Sequence, residues 1–287
     1  MLKKKAEMRR HAHAKVNLSL HVLGKRPDGY HDLASVMQQI SIYDELTYSL
    51  HPEGIFLQCP GTDLPTNQQN LVYRAAQAIF NHTGYHGGVE IILNKHIPSA
   101  AGLGGGSSDA AATLIALNDL CSLGMTGSDM MKIGAKLGAD VPFFIFGNCA
   151  FATGIGDQLQ PLPDLPPLHL VLINPAFPLS TKAVYENLNL TLTKKKNSYS
   201  IPRFYALGDV IRELHNDLES VSLQMHPELN DFKQMLMQEG ALGALMSGSG
   251  PTLFGIFADE KSATEARDAI SKKVSGECLV FFAQSLK

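Results

Sequence analysis

Between Pro98 and Asp109 the chain reads Pro98-Ser99-Ala100-Ala101-Gly102-Leu103-Gly104-Gly105-Gly106-Ser107-Ser108-Asp109. Glycines lose the most conformational entropy on ordering, so a run this dense needs a purpose. They let a backbone approach a ligand closely and aim successive N–H groups into one concavity. These glycines open directly into Ala110-Ala111-Ala112-Thr113-Leu114, a helical stretch. A helix start gathers unpaired N–H groups and the positive end of the dipole. Strand, glycine run and helix start together make a site for a di- or triphosphate. Two common phosphate loops are excluded. Gly106 is followed by Ser107 where a P-loop needs lysine, and a dinucleotide fingerprint would follow the first strand with sparser glycines. Ser107 and Ser108 can each cap the helix or offer a hydroxyl to phosphate or magnesium, and both uses stay open.

Near the N-terminus, Val16, Leu18, Leu20 and Val22 alternate with Lys15, Asn17, Ser19 and His21. That is the period-two pattern of a half-buried strand. Lys15 and Asn17 then project from one face, roughly 7 Å apart along the strand. Asp140 follows a helix end at Leu137-Gly138 and precedes Val141–Phe146, which reads as a buried strand. Alone, it is either a turn aspartate that ends the helix or a carboxylate held ready for acid–base work. His11-Ala12-His13 has a ligand spacing, yet no other cluster of histidines or carboxylates supports it, so no metal site is expected.

The glycine run resembles the second motif of the GHMP small-molecule kinases, which include galactokinase, homoserine kinase and mevalonate kinase. Ala14-Lys15-Val16-Asn17-Leu18 resembles their first motif, and Gly248-Ser249-Gly250-Pro251-Thr252 their third. Three further segments narrow the likeness to the branch that acts on a cytidine-diphosphate-linked methylerythritol. They are Arg26-Pro27-Asp28-Gly29-Tyr30-His31, Leu137-Gly138-Ala139-Asp140-Val141-Pro142-Phe143 and Thr181-Lys182-Ala183-Val184-Tyr185. The motifs run in the family's order from about His13 to Phe257. The resemblance implies an α+β protein with the GHMP kinase fold. Residues 1–160 would form an ATP-binding domain like ribosomal protein S5 domain 2, and 161–287 a ferredoxin-like domain.

The same resemblance implies transfer of the γ-phosphoryl of ATP to the 2-hydroxyl of the methylerythritol moiety, in non-mevalonate isoprenoid biosynthesis. Asp140 matches the family's catalytic aspartate and Lys15 its catalytic lysine; Asn17, on the lysine's face, orients the same group. Residues 98–108 would hold ATP, with Mg2+ bound alongside it. Tyr30 and Tyr185 stand where the family stacks cytosine, and stacking on a flat base contributes ~1–3 kcal/mol. His31 matches the residue that hydrogen-bonds the base edge. Thr181, Gly248 and Ser249 match further substrate contacts. Two rivals remain: another GHMP kinase (homoserine or mevalonate kinase), or a catalytically silent ligand-binding protein on the same fold.

Other elements must position these groups. Asn70 caps and Gly84 ends a helix over Leu71–Phe80. Val89–Asn94 is a strand leading to the glycine run, and the helix behind the run covers Asp109–Leu120. Ser128 caps a short helix that stops near Leu137-Gly138, and Cys149–Thr153 is a strand. Leu159–Pro167 is rich in proline and reads as the crossing between domains. Beyond it come strands at Leu168–Ile173, Leu242–Met246, Thr252–Phe257 and Cys278–Gln284, and helices at Pro227–Glu239 and Glu260–Lys272. Lys194-Lys195-Lys196 falls in a polar linker.

The composition is that of a globular protein, with 45% hydrophobic and 18% charged residues among 287. A net charge of −3 supplies no global field for nucleic acid or anionic membrane. Four scattered cysteines without a C-x-x-C pair point to free thiols in a reducing compartment, so a cytoplasmic location is expected. The basic N-terminus lacks the apolar run of a secretory signal. The expected partner is a small molecule carrying a cytidine diphosphate group, for a monomer or homodimer.

Overall fold

The computed structural model describes residues 7–163, 165–175, 177–189 and 201–287. Lys194-Lys195-Lys196 lies outside the described residues. The chain opens with β1 (Glu7–Lys25), β2 (His31–His51), β3 (Ile55–Gln58), α1 (Leu71–Thr83) and β4 (Gly88–Asn94). Next come α2 (Gly105–Leu120), α3 (Gly127–Leu137), α4 (Val141–Phe146), β5 (Cys149–Gly154), β6 (Gln158–Pro161) and β7 (His169–Asn174). The remainder is α5 (Thr181–Glu186), α6 (Leu207–Glu213), β8 (His215–Asn216), α7 (Glu219–Met225), α8 (Glu228–Gln238), β9 (Gly243–Met246), β10 (Leu253–Phe257), α9 (Glu260–Lys273) and β11 (Leu279–Gln284). Among the described residues, no helix is long and apolar enough to cross a membrane.

Two compact units interleave along the sequence. One takes the chain up to Ala14 with Ile42–Ile97 and Gly104–Gly147; the other takes Lys15–Ser41, Pro98–Leu103 and Asn148–Lys287. In the first, the second half of β2 pairs antiparallel with β4, and β4 pairs parallel with β3. Helices α1 to α4 pack with one another. α1 begins as the sequence dictates: Asn70 Oδ1 accepts from Val72 N–H at 2.9 Å, and Gly84 ends it with a left-handed φ of 68°. Tyr48 is fully buried, its hydroxyl 3.1 Å from Thr113 Oγ1.

In the second unit, β11, β7, β10 and β9 form an antiparallel sheet in that order. Helices α8 and α9 contact its strands. Numbered along the chain, the strands lie in the order 4-1-3-2 with helices between, the β-α-β-β-α-β layout of a ferredoxin-like domain. Its core joins Val171, Ile173, Leu229, Leu236, Phe257 and Ile270. The same unit pairs the first half of β2 with β5, β5 with β6, and β1 in parallel with β8. With both units mixed α and β, the α+β class is the one expected.

Five local expectations need correction. Val141–Phe146 is helix α4, not a strand: Pro142 stands in its first turn, where a fixed φ favours helix entry. A short apolar run carries no period to tell the two apart. α3 is capped by Thr126, whose Oγ1 accepts from Asp129 N–H at 3.2 Å, leaving Ser128 inside the helix. Within the proline-rich crossing, Gln158–Pro161 adds a strand to β5, as the edge of a sheet tolerates proline. α2 starts at Gly105 and not at Asp109, so Ser107 and Ser108 are first-turn residues rather than caps. Finally, β1 is buried on both faces from Ala14 to Leu20. Its polar face is enclosed because Asn17 and Ser19 find hydrogen-bond partners on β2.

Replacing Asn70 with alanine removes the α1 cap. Denaturant unfolding should show a loss of about 1 kcal/mol; a change under about 0.3 kcal/mol would mean the cap contributes nothing.

Candidate active site

β1 presents Lys15 and Asn17 side by side. Lys15 Nζ donates to Asn17 Oδ1 at 2.5 Å, and both residues are buried. Asn17 Nδ2 donates onward to Ser35 Oγ at 2.9 Å, and Ser35 Oγ donates to the Ser19 carbonyl at 2.6 Å. A chain of bonds from β2 therefore fixes the amide that fixes the ammonium. A buried lysine is costly unless its charge is met, so this position calls for an anion or a carbonyl beside it.

The first part of the glycine run is tied to the same strand. Lys15 N–H donates to the Leu103 carbonyl at 2.9 Å. Ser247 Oγ donates to the Gly102 carbonyl at 2.9 Å. Gly102 has φ +75°, and a Cβ there would lie 2.2 Å from the Ser247 carbonyl oxygen, so no other residue fits. Gly248 is the reciprocal case: with φ +57°, its Cβ would come within 3.4 Å of Lys15 Nζ. Asn216 Nδ2 holds that turn by donating to the carbonyls of Met246 and Gly248 at 2.8 and 2.7 Å. Lys15, Asn17, Gly102 and Gly248 are thus brought together. Ala100 has a left-handed φ of 52° without being glycine.

Around the third glycine motif, Ser249 Oγ lies 2.8 Å from Thr181 Oγ1 at the start of α5. One turn on, Tyr185 stacks with His31, ring centroids 4.9 Å apart at 26°. His31 is held below the usual imidazole range by burial and by the positive charge of Lys25, which favours the neutral ring. Tyr30 is 59% exposed. Its backbone closes the turn, accepting from Arg26 N–H at 2.7 Å and donating to Asp28 Oδ1 at 3.1 Å. Thr181 thus joins Ser249, and Tyr185 joins His31, while the Tyr30 ring stays exposed.

In the other unit, α2 begins without a side-chain cap. Gly104 occupies the cap position with φ 72°, and its carbonyl accepts from Ser108 N–H at 2.9 Å. The N–H groups of Gly105, Gly106 and Ser107 are the first-turn donors, and no acidic side chain stands in that turn. Ser108 is buried, whereas Ser107 is half-buried. Of the two hydroxyls left open by sequence, Ser107 is the more accessible. Asp140 is the N-terminal flanking residue of α4; its side chain makes no capping bond there.

Behind that helix start lies a charge cluster that sequence reasoning did not find. Lys95 Nζ donates to Asp109 Oδ2 at 2.8 Å and also to Asp44 Oδ2. Asp44 Oδ1 accepts from the N–H groups of His96 and Ile97 at 2.5 and 2.8 Å. A Cβ at Gly105 would sit 3.0 Å from Ile97 Cγ2 and 3.2 Å from Lys95 Nζ, a tight fit behind the loop. Burial raises Asp109, Lys95 opposes it, and neighbouring Asp44 adds to it; the carboxyl is pushed up to about 7. Burial pulls Lys95 down, but the two carboxylates outweigh that and hold it above its ordinary value. The signal was three charged residues, 44, 95 and 109, at spacings that no local pattern joins. Ser35 and Asn216 escaped notice for the same reason.

Comparison with known proteins follows the same lines. The profile of the GHMP kinases N terminal domain matches residues 70–148, and that of the GHMP kinases C terminal region matches 198–276. A protein of Syntrophus aciditrophicus (strain SB) named 4-diphosphocytidyl-2-C-methyl-D-erythritol kinase is 55% identical over 273 residues, covering 95% of this chain and 97% of its own. A protein of the same name from Syntrophotalea carbinolica is 50% identical over 264 residues, covering 91% and 94%. The crystal structure of a 4-(cytidine 5'-diphospho)-2C-methyl-D-erythritol kinase superposes with a TM-score of 0.83 at 35% identity, covering 98% of this chain and 100% of that one. A homoserine kinase from Cytophaga hutchinsonii gives 0.74 at 20% identity, covering 100% and 96%, a likeness of fold.

Two outcomes follow from the geometry. Asp109 ionises near 7 when folded but near its ordinary 3.8 when unfolded. Between those values the folded protein holds a proton that the unfolded chain has released, so this group's contribution to stability falls as pH rises from about 4 to 7. Asp109→Asn should remove that pH dependence, up to ~4 kcal/mol between pH 4 and 7, in urea titrations; parallel profiles for variant and wild type would rule it out. Ala100→Gly should stabilise by about 0.5–1 kcal/mol in the same assay, since it relieves a left-handed alanine and gives back part of the gain as chain entropy.

Proposed function

This chain belongs to the GHMP kinases, within the family of 4-diphosphocytidyl-2-C-methyl-D-erythritol kinases, and we propose that it phosphorylates the 2-hydroxyl of 4-diphosphocytidyl-2-C-methyl-D-erythritol with ATP. The products are the 2-phosphate and ADP, on the non-mevalonate route to isoprenoids. It is a phosphotransferase with an alcohol group as acceptor. The observation that carries the mechanism is the buried Lys15–Asn17 pair set against Gly102 and Gly248.

Phosphoryl transfer needs positioning and charge neutralisation more than covalent help from the protein. In this reading, residues 98–108 hold the nucleotide, and the first-turn amides of α2 receive its phosphates. Lys15 neutralises charge on the transferring group, and Asn17 keeps the ammonium aimed. Asp140 accepts the proton of the tertiary hydroxyl, which is a poor nucleophile while protonated. Mg2+ bound with ATP would supply further charge neutralisation. It takes few protein ligands when phosphate oxygens and water serve it, and the accessible hydroxyl of Ser107 fits that need.

The substrate's cytidine end is read by the aromatic pair. Tyr185 and Tyr30 offer faces to the base. His31 stacks on Tyr185, and its ring nitrogens are the groups that meet the base's polar rim. Thr181, Gly248 and Ser249 complete the substrate contacts. The neutral state favoured at His31 suits a base edge that needs an acceptor as well as a donor. The family boundary is taken at 160/161, which leaves the two matched profile segments on opposite sides. The free cysteines 59, 121, 149 and 278 fit a cytoplasmic setting.

The test is phosphate transfer from ATP to the cytidine-diphosphate-linked substrate, with mevalonate, homoserine and the methylerythritol phosphate lacking cytidine as controls. Turnover should be confined to the cytidine compound; equal rates on the truncated alcohol would sink the assignment of the aromatic pair. Asp140→Asn should keep ATP binding and lower kcat by about 10²–10⁴-fold. Unchanged kcat would remove Asp140 from the chemistry.

A further inference from the structure

Among the described residues, and outside the proposed phosphate and substrate residues, one cluster has the composition of a metal centre. His21 stands on β1, His215 on the paired strand β8, and Asp217 one residue beyond β8. The parallel register sets Ser19 opposite His215 and Leu20 opposite Asn216, which carries His21 alongside Asp217. The two imidazoles stack with centroids 4.3 Å apart at 14°. Asp217 Oδ1 lies 2.7 Å from His215 Nε2, and Asp217 Oδ2 accepts from Val22 N–H at 2.7 Å. One ligand atom from each of the three residues lies within 4.8 Å of the others.

We propose that His21, His215 and Asp217 bind a divalent transition-metal ion of the Zn2+ class, with a fourth position open to water. Two imidazoles and one carboxylate are the donor set such ions prefer. Zinc–ligand bonds of about 2.0–2.2 Å bring ligand atoms to about 3.3 Å from one another. The His215–Asp217 pair, at 2.7 Å, is closer than that and the cluster reaches out to 4.8 Å, so binding requires one imidazole to turn out of the stack and the pair to open. The bond from Val22 N–H to the other carboxylate oxygen already aims Asp217, as outer-shell partners do for metal ligands. This set differs from His11-Ala12-His13: those rings meet edge-on and contact Tyr43.

The position gives the ion something to act on. β1 carries Lys15 and Asn17, and β8 carries Asn216, which holds the carbonyls of Met246 and Gly248. An ion bound here cross-links β1 to the residue that fixes the third glycine turn. It stabilises the native state in proportion to its occupancy, because the unfolded chain offers no assembled site.

The experiment titrates chelator-stripped, nucleotide-free protein with Zn2+ in competition with a chromophoric chelator, and with Co2+ for its visible spectrum. Expected are one ion per chain at micromolar affinity or tighter, tetrahedral Co2+ absorption, and a Tm that climbs with Zn2+. His21→Gln and His215→Gln should each weaken binding at least tenfold and abolish the Tm response, while His11→Gln leaves both intact. Absence of binding at 100 µM Zn2+ (about the upper limit for a specific site), or affinity unchanged in both His21→Gln and His215→Gln, overturns the proposal. Should either variant unfold, the stoichiometry and Co2+ spectrum of the wild-type protein decide the matter.

Discussion

The approach of two backbone turns at Gly102 and Ser247 underlies the arrangement of the second unit. A side chain at Gly102 would occupy the space of the Ser247 carbonyl, and only that closeness lets Ser247 reach the Gly102 carbonyl. Once the turns meet, Leu103 binds the backbone of Lys15, and Gly248 lies against its ammonium. Two glycine motifs almost 150 residues apart in the chain thus serve one lysine. The glycines matter here less for flexibility than for the absence of a Cβ at a crowded crossing.

Packing behind the loop follows another logic. Asp44, Lys95 and Asp109 put three ionisable groups in the interior, which is expensive without full hydrogen bonding. Two backbone amides and the lysine meet most of the demand, and Asp109 Oδ1 is left without a partner. An oxygen buried in this way resists ionisation, which is why its titration moves toward neutrality. The cluster ties β2 to the end of β4 and the first turns of α2.

Much of this was legible in the sequence where a signal is local. The cap at Asn70, the stop at Gly84 and the strands of the second sheet follow from local residue types, whereas its ferredoxin-like order came from the family resemblance. Lys15 and Asn17 share a face because strands alternate, and their hydrogen bond bears that out. Failures fall where the signal is absent or ambiguous. β2, buried on both faces from Leu33 to Ile40, has no alternation to detect. The six apolar residues of α4 suit helix and strand equally, and Thr126 and Ser128 are both good caps two residues apart. The partners that complete the site, Ser35, Asn216 and the charged cluster, arrive from distant segments, and a linear pattern does not announce them.

The start of α2 has a further consequence. Most helices of this length carry their own cap, whereas here Gly104 offers only backbone and no carboxylate stands in the first turn. The helix is therefore left incomplete at one end by its own sequence, and in the proposed reading a phosphate of the nucleotide supplies the missing acceptors. On that reading, nucleotide and helix terminus finish each other's bonding, and part of the binding energy goes into quieting the first turn of α2. Amide protons at Gly105, Gly106 and Ser107 are the natural reporters of that exchange.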